Sequence, residues 1–142
     1  MIDIEKIKRY AAEIRENIRL IKEYATSEEE FFSDKRNILS VKHLLLQSIE
    51  ATAIICNHLL SKMGKIAPSG YTECFKGLEE IGAFGKEATE KFVRMVRFRN
   101  ILIHHYLKVD DKEVFKYAKQ NLSDFEDFLE GIFNFLKKKR LL

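Results

Sequence analysis

Two adjacent histidines and an upstream arginine are the residues of this chain best suited to chemistry on a phosphodiester. His104 and His105 follow Arg99 and Asn100 in the segment RNILIHHY, residues 99–106. An imidazole with an ordinary pKa of about 6.5 accepts and returns a proton at neutral pH, and a guanidinium stabilises charge on a phosphate. Since the ribose 2′-hydroxyl of RNA supplies its own nucleophile, a base and a fixed cation would suffice, with no metal ion or cofactor.

Metal binding is a poorer use of the same histidines. Neighbouring residues on a helix point roughly 100° apart, and no second histidine or aspartate stands at ligand spacing from His104 or His105. Cys56 and Cys74 form no C-x-x-C pair, so neither a structural zinc site nor a disulfide framework is expected. A reducing cytoplasm is the simplest location for such a chain.

The helix predicted over residues 87–107 carries an arginine on its apolar face. A helical wheel groups seven apolar or aromatic residues around Arg99. They are Phe92, Met95, Val96, Leu102, Ile103, Tyr106 and Leu107. A buried guanidinium is costly unless it is paired or contacts a ligand. An internal ion pair to Glu50 and a role in a site both remain open at this point.

A polar stripe on the same helix contains Arg97, Asn100 and His104, at spacings of three and four that allow their side chains to meet. Such a stripe is either the edge of a site or an ordinary solvated face, and the pattern does not choose between them.

Helical spacing of apolar residues predicts four long helices, over about 4–25, 34–63, 87–107 and 111–136. Ser27 and Glu30 fit a capping box that starts a short extra turn. Five of the six glycines and the only proline lie between residues 64 and 85, around a short helical pattern at 71–81. We therefore expect one all-α domain over residues 1–142, an up-and-down antiparallel four-helix bundle with one or two short extra helices.

Composition excludes several classes of protein. A net charge of +3 is too small to identify a nucleic-acid binder, and the basic run at 137–140 is common at a helix C-terminus. The polar N-terminus argues against a signal peptide, and the lack of a long uninterrupted apolar run argues against a membrane span. The expectation is a soluble cytoplasmic protein without membrane contact.

Residues 99–106 resemble the R-x-x-x-x-H-x-Y motif of HepT-type toxins in the HEPN superfamily, including the polar residue directly after the arginine. The similarity extends over most of the chain. It includes Ser48-Ile49-Glu50-Ala51, His58, Pro68-Ser69-Gly70-Tyr71 with Glu73, Phe75 and Leu78, and the segment LSDFEDF at 122–128.

The resemblance implies an all-helical homodimer in which the arginine and histidine motifs of both subunits line a cleft. It implies a metal-independent endoribonuclease, the toxin of a type VII HEPN/MNT toxin–antitoxin system, with RNA as the substrate. Arg99 and His104 would be catalytic, and Asn100, Glu50, Arg97 and His105 supporting. The antitoxin implied is an MNT-type nucleotidyltransferase that transfers AMP from ATP to Tyr106, whose added phosphates would block the RNA path.

The motif tolerates several spacings, so Arg97 with His104, Arg99 with His104, and Arg99 with His105 all comply. Asn100 and Tyr106 favour the pair Arg99 and His104, yet these point roughly 140° apart on a straight helix. A long arginine reach, a distortion of the helix, or completion of the pair across a dimer would each resolve this. The alternative function is a non-catalytic helical dimer that binds a nucleotidyltransferase or a nucleotide through the same residues.

Overall fold

The computed structural model describes residues 1–63, 68–105 and 108–142, and every regular element in these ranges is an α-helix. The helices are α1 (Ile4–Tyr24), α2 (Glu28–Ser33), α3 (Lys35–Met63), α4 (Tyr71–Glu80), α5 (Lys86–His104), α6 (Asp111–Gln120) and α7 (Ser123–Lys138). The predicted all-α class is confirmed, and α1, α3 and α5 correspond to three of the four predicted long helices. Within these ranges three short helices accompany the long ones, where one or two were expected.

The extra short helix arises because the predicted last helix is divided in two. Asn121 ends α6 in a non-helical conformation, and its backbone N–H donates to the Tyr117 carbonyl oxygen at 2.9 Å. The side chains of Asn121 and Asp124 lie 3.5 Å apart across the break. Short polar side chains favour such turns. The apolar spacing continues through Leu122 into α7, so periodicity alone did not reveal the division.

Helix α3 forms the centre of the core. Its buried residues recur at helical spacing and include Ile38, Val41, Leu45, Ile49, Ile55 and Leu59. Helix α1 packs along α3 in the opposite direction. The start of α1 lies beside the end of α3, where the backbone N–H of Asp3 donates to Nε2 of His58 at 2.9 Å. Burial is the main cause that lowers the pKa of His58. A neutral imidazole acceptor therefore joins the two helices.

By length and composition α3 could cross a membrane, the one such helix among the described residues. Its most apolar stretch is 56% buried against the other helices. The core helix of a soluble helical protein shows the same burial.

Helix α4 is held close to α3 and ends in a defined turn. A Cβ on Gly77 would lie 2.5 Å from Cδ1 of Leu60, so a larger residue here would require the Leu60 side chain to move. At the other end Gly82 has φ of 86°, its N–H donates to Glu79 O at 3.0 Å, and the Ala83 N–H donates to Leu78 O at 2.9 Å. These two bonds form a Schellman motif.

An aromatic cluster anchors the first half of α5. The Phe92 ring lies 4.8 Å from Phe84, 5.4 Å from Phe128 and 5.6 Å from Phe75, measured between ring centroids. These contacts seat α5 against α4 and α7. The second half of α5, with the motif residues, extends from this anchor.

Candidate functional site

The guanidinium of Arg99 points inward from α5 to Glu50 on α3. Nε donates to Glu50 Oε1 at 3.0 Å, and Nη2 also lies 3.0 Å from that oxygen. The side chain of Arg99 is only 20% exposed and that of Glu50 is 32% exposed. The internal ion pair considered from the sequence is therefore present, and it fixes the orientation of the only arginine on the apolar face of α5.

Tyr71, the first residue of α4, completes a closed triangle with Arg99 and Glu50. Its hydroxyl donates to Glu50 Oε2 at 2.6 Å and accepts from Arg99 Nη2 at 3.2 Å. The arginine Cζ lies 4.3 Å from the centroid of the tyrosine ring. Burial, and then the hydrogen bond to the Glu50 carboxylate, raise the pKa of Tyr71, so the hydroxyl remains protonated.

Sequence reasoning did not select Tyr71 as a site residue. The residue did lie in the segment at 68–71 that resembles the HepT family. That segment was the only sequence signal that could have identified it.

Asn100 supplies the third contact of Arg99, because its Oδ1 accepts from Nη1 at 3.1 Å. A guanidinium has five N–H donors. The bonds to Glu50, Asn100 and Tyr71 leave one N–H of Nη1 unused among the contacts with described residues. Arg99 is thus held by its protein neighbours and still has a donor for a phosphate oxygen.

His104 lies on a different side of α5 from this triangle. It is the last residue of the helix and is exposed, and His105 caps the helix with its N–H donating to Ile101 O at 2.9 Å. Within the described residues no hydrogen bond joins Arg99 to either histidine. Because α5 remains helical through His104, distortion of the helix does not bring the pair together in one chain.

The two faces predicted for α5 are mostly correct. Phe92, Met95, Val96 and Leu102 are buried, and Arg97, Asn100 and His104 are exposed. Ile103 was assigned to the apolar face but is 40% exposed, whereas Leu102 beside it is fully buried, so the buried face of the last turn is narrower than the wheel predicted. Tyr106 and Leu107 lie outside the described residues.

A cavity of about 280 Å³ lies between α3 and the start of α4, next to the triangle. We call it the α3–α4 cavity; its lining includes Glu50, Ala53, Asn57, Ser69, Tyr71 and Cys74. Ser69 donates to Glu73 through its backbone N–H, at 3.2 Å, and through its hydroxyl. The hydroxyl bond is the main cause that lowers the pKa of Glu73. These bonds fix the segment that forms one rim of the cavity.

The cysteines and possible metal ligands add no second reactive centre in the described ranges. Cys56 and Cys74 are free and buried, and burial raises the pKa of Cys56. A thiol held in its protonated form is a weak nucleophile. Among residues 1–63, 68–105 and 108–142, no three His, Cys, Asp or Glu side chains are grouped so that they could hold a metal ion.

Solved structures similar to this chain match nearly its whole length. A tri-AMPylated Shewanella oneidensis HEPN toxin in complex with MNT antitoxin is 25% identical, with a TM-score of 0.84 over 91% of this chain and 97% of its own. A mutant MntA–HpeT toxin–antitoxin is 25% identical, with a TM-score of 0.83 over 92% and 98%. YutE of Bacillus subtilis, a cytosolic protein of unknown function, is 17% identical with a TM-score of 0.84 over 99% and 95%, which shows the fold alone.

No curated protein matched the chain in a sequence search. The profile of one protein family, described as Ribonuclease HepT-like, matches residues 14–132. This match includes α3, α4 and α5 and therefore all three members of the Arg99 triangle. With the match spanning most of its length, the chain belongs to the HepT-like ribonuclease family.

Proposed function

We propose that this protein is the toxin of a type VII HEPN/MNT toxin–antitoxin pair and cleaves RNA without a metal ion. The observation that carries the proposal is Arg99, fixed by Glu50 and Tyr71 with a donor still available, on the same helix as the exposed His104. Membership of a ribonuclease family supports RNA as the substrate. The similarity to a HEPN toxin bound to an MNT antitoxin supports the pairing.

The proposed reaction is attack of a ribose 2′-oxygen on the adjacent phosphorus. His104 removes the 2′-hydroxyl proton, and the P–O5′ bond breaks as the new P–O2′ bond forms. Arg99 stabilises the charge that develops on the non-bridging oxygens. A second histidine, His105 or His104 of a second copy, returns a proton to O5′. The products are a 2′,3′-cyclic phosphate and a 5′-hydroxyl, so no water, metal or cofactor is consumed.

A homodimer is part of the proposal, because one chain turns Arg99 inward and His104 outward. Ile101 and Ile103 are 45% and 40% exposed beside His104, an apolar surface suited to contact with a second copy. Two such copies, facing each other across α5, would place His104 of one near Arg99 of the other. Arg97 and His105, exposed on the same end of α5, would line the cleft between them. We assign the protein to the cytoplasm.

An RNA cleavage assay with variants of the motif tests the proposed nuclease. Arg99→Ala and His104→Ala should each reduce cleavage by a factor of about a hundred or more, the usual contribution of a charge-stabilising or acid–base group. Cleavage by the parent protein should continue in EDTA. Gel analysis of a labelled RNA gives the rates.

Arg94→Ala is the matched control, since Arg94 is an exposed arginine on the same helix. Equal cleavage by the parent, Arg99→Ala and His104→Ala would contradict the assignment. RNA bound by the parent without turnover would instead identify the non-catalytic dimer considered from the sequence.

Tyr106 is the proposed acceptor of AMP from the nucleotidyltransferase antitoxin. It follows His104 by two positions, so each phosphate added there would bring negative charge close to the RNA path. Mass spectrometry after incubation with the antitoxin and ATP should show added AMP on the parent protein and none on Tyr106→Phe. Tyr24→Phe is the control and should be modified like the parent. AMP found on Tyr106→Phe would show that another residue is the acceptor.

A further inference from the structure

The α3–α4 cavity has the position expected of a subsite for the RNA itself. Glu50 and Tyr71 line it, and the same two side chains hold the guanidinium of Arg99. Arg99 is not itself in the lining, so a phosphate at its free N–H would be separated from the cavity by the side chains of Glu50 and Tyr71. We propose that this cavity binds one unpaired nucleobase of the substrate, across these two side chains from the phosphate that Arg99 contacts. The inference rests on the proposed ribonuclease function and adds a binding subsite to it.

The size of the cavity suits a single base. At about 280 Å³ it is smaller than the roughly 300–1,000 Å³ of pockets that enclose drug-sized ligands. A planar base without its sugar and phosphate fits this scale. A base pair does not, so the subsite would select single-stranded RNA, in which bases can leave the stack.

The lining provides both kinds of contact that a nucleobase uses. Ala53, Ile54 and Cys74 supply an apolar surface against which the flat face can lie. Asn57 and Ser69 add an amide and a hydroxyl that can bond to the base edge. An apolar wall with a few polar groups is the usual composition of a small-molecule site.

Glu50 gives the subsite a preference among bases. Oε1 lies 3.0 Å from both Nε and Nη2 of Arg99, whereas Oε2 accepts from Tyr71 and retains a second acceptor position. A carboxylate accepts from an exocyclic amino group, as acidic side chains do with cytosine. Adenine, cytosine and guanine carry such a group, whereas uracil presents only carbonyl oxygens there. The subsite should therefore disfavour uracil.

Binding to a His104→Ala chain tests the inference without any need for cleavage. The probes are short fluorescent RNA homopolymers of adenosine, of uridine, or of abasic ribose, so that the register of binding does not matter. Fluorescence anisotropy should show roughly tenfold tighter binding of the adenosine polymer than of the abasic one, the scale of one stacked base. The uridine polymer should bind less tightly than the adenosine polymer.

A filled cavity provides the decisive comparison. Asn57 is exposed, so Asn57→Phe should fold, as checked by thermal melting, while its ring occupies the mouth of the cavity. The preference for adenosine over abasic RNA should disappear in this variant. The matched control is Asn134→Phe, at an exposed position of α7, which should keep the preference.

Equal binding of adenosine and abasic polymers, or an unchanged preference in Asn57→Phe, would overturn the base subsite. Equal binding of adenosine and uridine would overturn the role of Glu50 in it. Failure of the proposed nuclease would appear separately, as absence of RNA cleavage by the parent protein.

Discussion

At the scale of single residues, the guanidinium of Arg99 is hydrogen-bonded to side chains from two other helices, Glu50 of α3 and Tyr71 of α4. Helical periodicity placed Arg99 on the apolar face of α5, and the cost of burying a guanidinium made an ion pair with Glu50 one of the two alternatives left open by the sequence. Tyr71 could not be found that way. Its contact depends on how closely α4 approaches α3 at Gly77, which is a property of packing and not of local pattern.

The exposed position of Ile103 is a second feature that the sequence pattern did not predict, because it depends on packing. A helical wheel places side chains on faces, but it does not show where the covering element ends. In the last turn of α5 Leu102 is fully buried while Ile103 is 40% exposed, so neighbouring elements cover only one side of this turn.

Tyr71→Phe isolates the positioning of Arg99. The substitution keeps the ring beneath the guanidinium and removes the hydroxyl that bonds to both Glu50 and Arg99. A less firmly oriented cation should lower kcat for RNA by about ten- to a hundredfold, with little change in KM. Steady-state kinetics on the purified variant measures both values.

Tyr10→Phe on α1 is the control and should be kinetically silent. Unchanged kcat in Tyr71→Phe would show that Glu50 and Asn100 orient Arg99 without the tyrosine. A large fall in melting temperature would show instead that the hydroxyl acts mainly in stability.

At the scale of elements, apolar periodicity predicted the long helices within a few residues. Capping chemistry was also readable, since the Ser27 hydroxyl accepts from the Glu30 N–H at 3.1 Å as the capping box predicts. The division between α6 and α7 was missed, because the apolar face is continuous across it. Only the local bonding of Asn121 marks that end.

The same substitution, glycine to serine, should have opposite effects on stability at Gly82 and Gly85, which both follow α4. Gly82→Ser places a side chain at φ of 86°, which should destabilise the protein by about 1 kcal/mol, or roughly 3 °C in Tm. Gly85→Ser introduces a hydroxyl at the uncapped N-terminus of α5, with open space around it, and should stabilise by a few tenths of a kcal/mol.

Thermal melting, monitored by circular dichroism, measures the change in stability for Gly82→Ser and Gly85→Ser. Changes of the same sign would contradict the assigned backbone conformations. A loss of cleavage activity in Gly82→Ser beyond its loss of stability would indicate that this turn also sets the position of Tyr71 at the other end of α4.

At the scale of the whole molecule, one chain holds Arg99 and His104 on different sides of α5, so the two residues do not meet. The all-α class and the family could be predicted from the sequence, because long amphipathic helices and a spaced motif are local features. The relative direction of Arg99 and His104 needed the ends of α5 and its packing. Completion of the site by a second copy remains our proposal.

Mixed dimers test that proposal directly. If Arg99 of one chain works with His104 of the other, an Arg99→Ala chain and a His104→Ala chain together regain one intact site. If His105 is the group that returns the proton to O5′, activity of the mixed dimer should approach half that of the parent dimer, although each variant alone keeps about a hundredth or less. If both residues act from the same chain, the mixture should stay at that low level. Differently tagged chains, co-expressed and purified through both tags, provide the sample for an RNA cleavage assay.

The antiparallel pairing of α1 and α3 has a consequence for the order in which the protein is made. Chains leave the ribosome N-terminus first, and domains begin to fold as they emerge. Helices α1 and α3, joined by the bond between Asp3 and His58, can cover the most apolar segment while α5 is still being synthesised. Glu50 is then in place before Arg99 exists. A nascent chain would therefore place Glu50 first, and translation products that end before α5 would lack both Arg99 and His104.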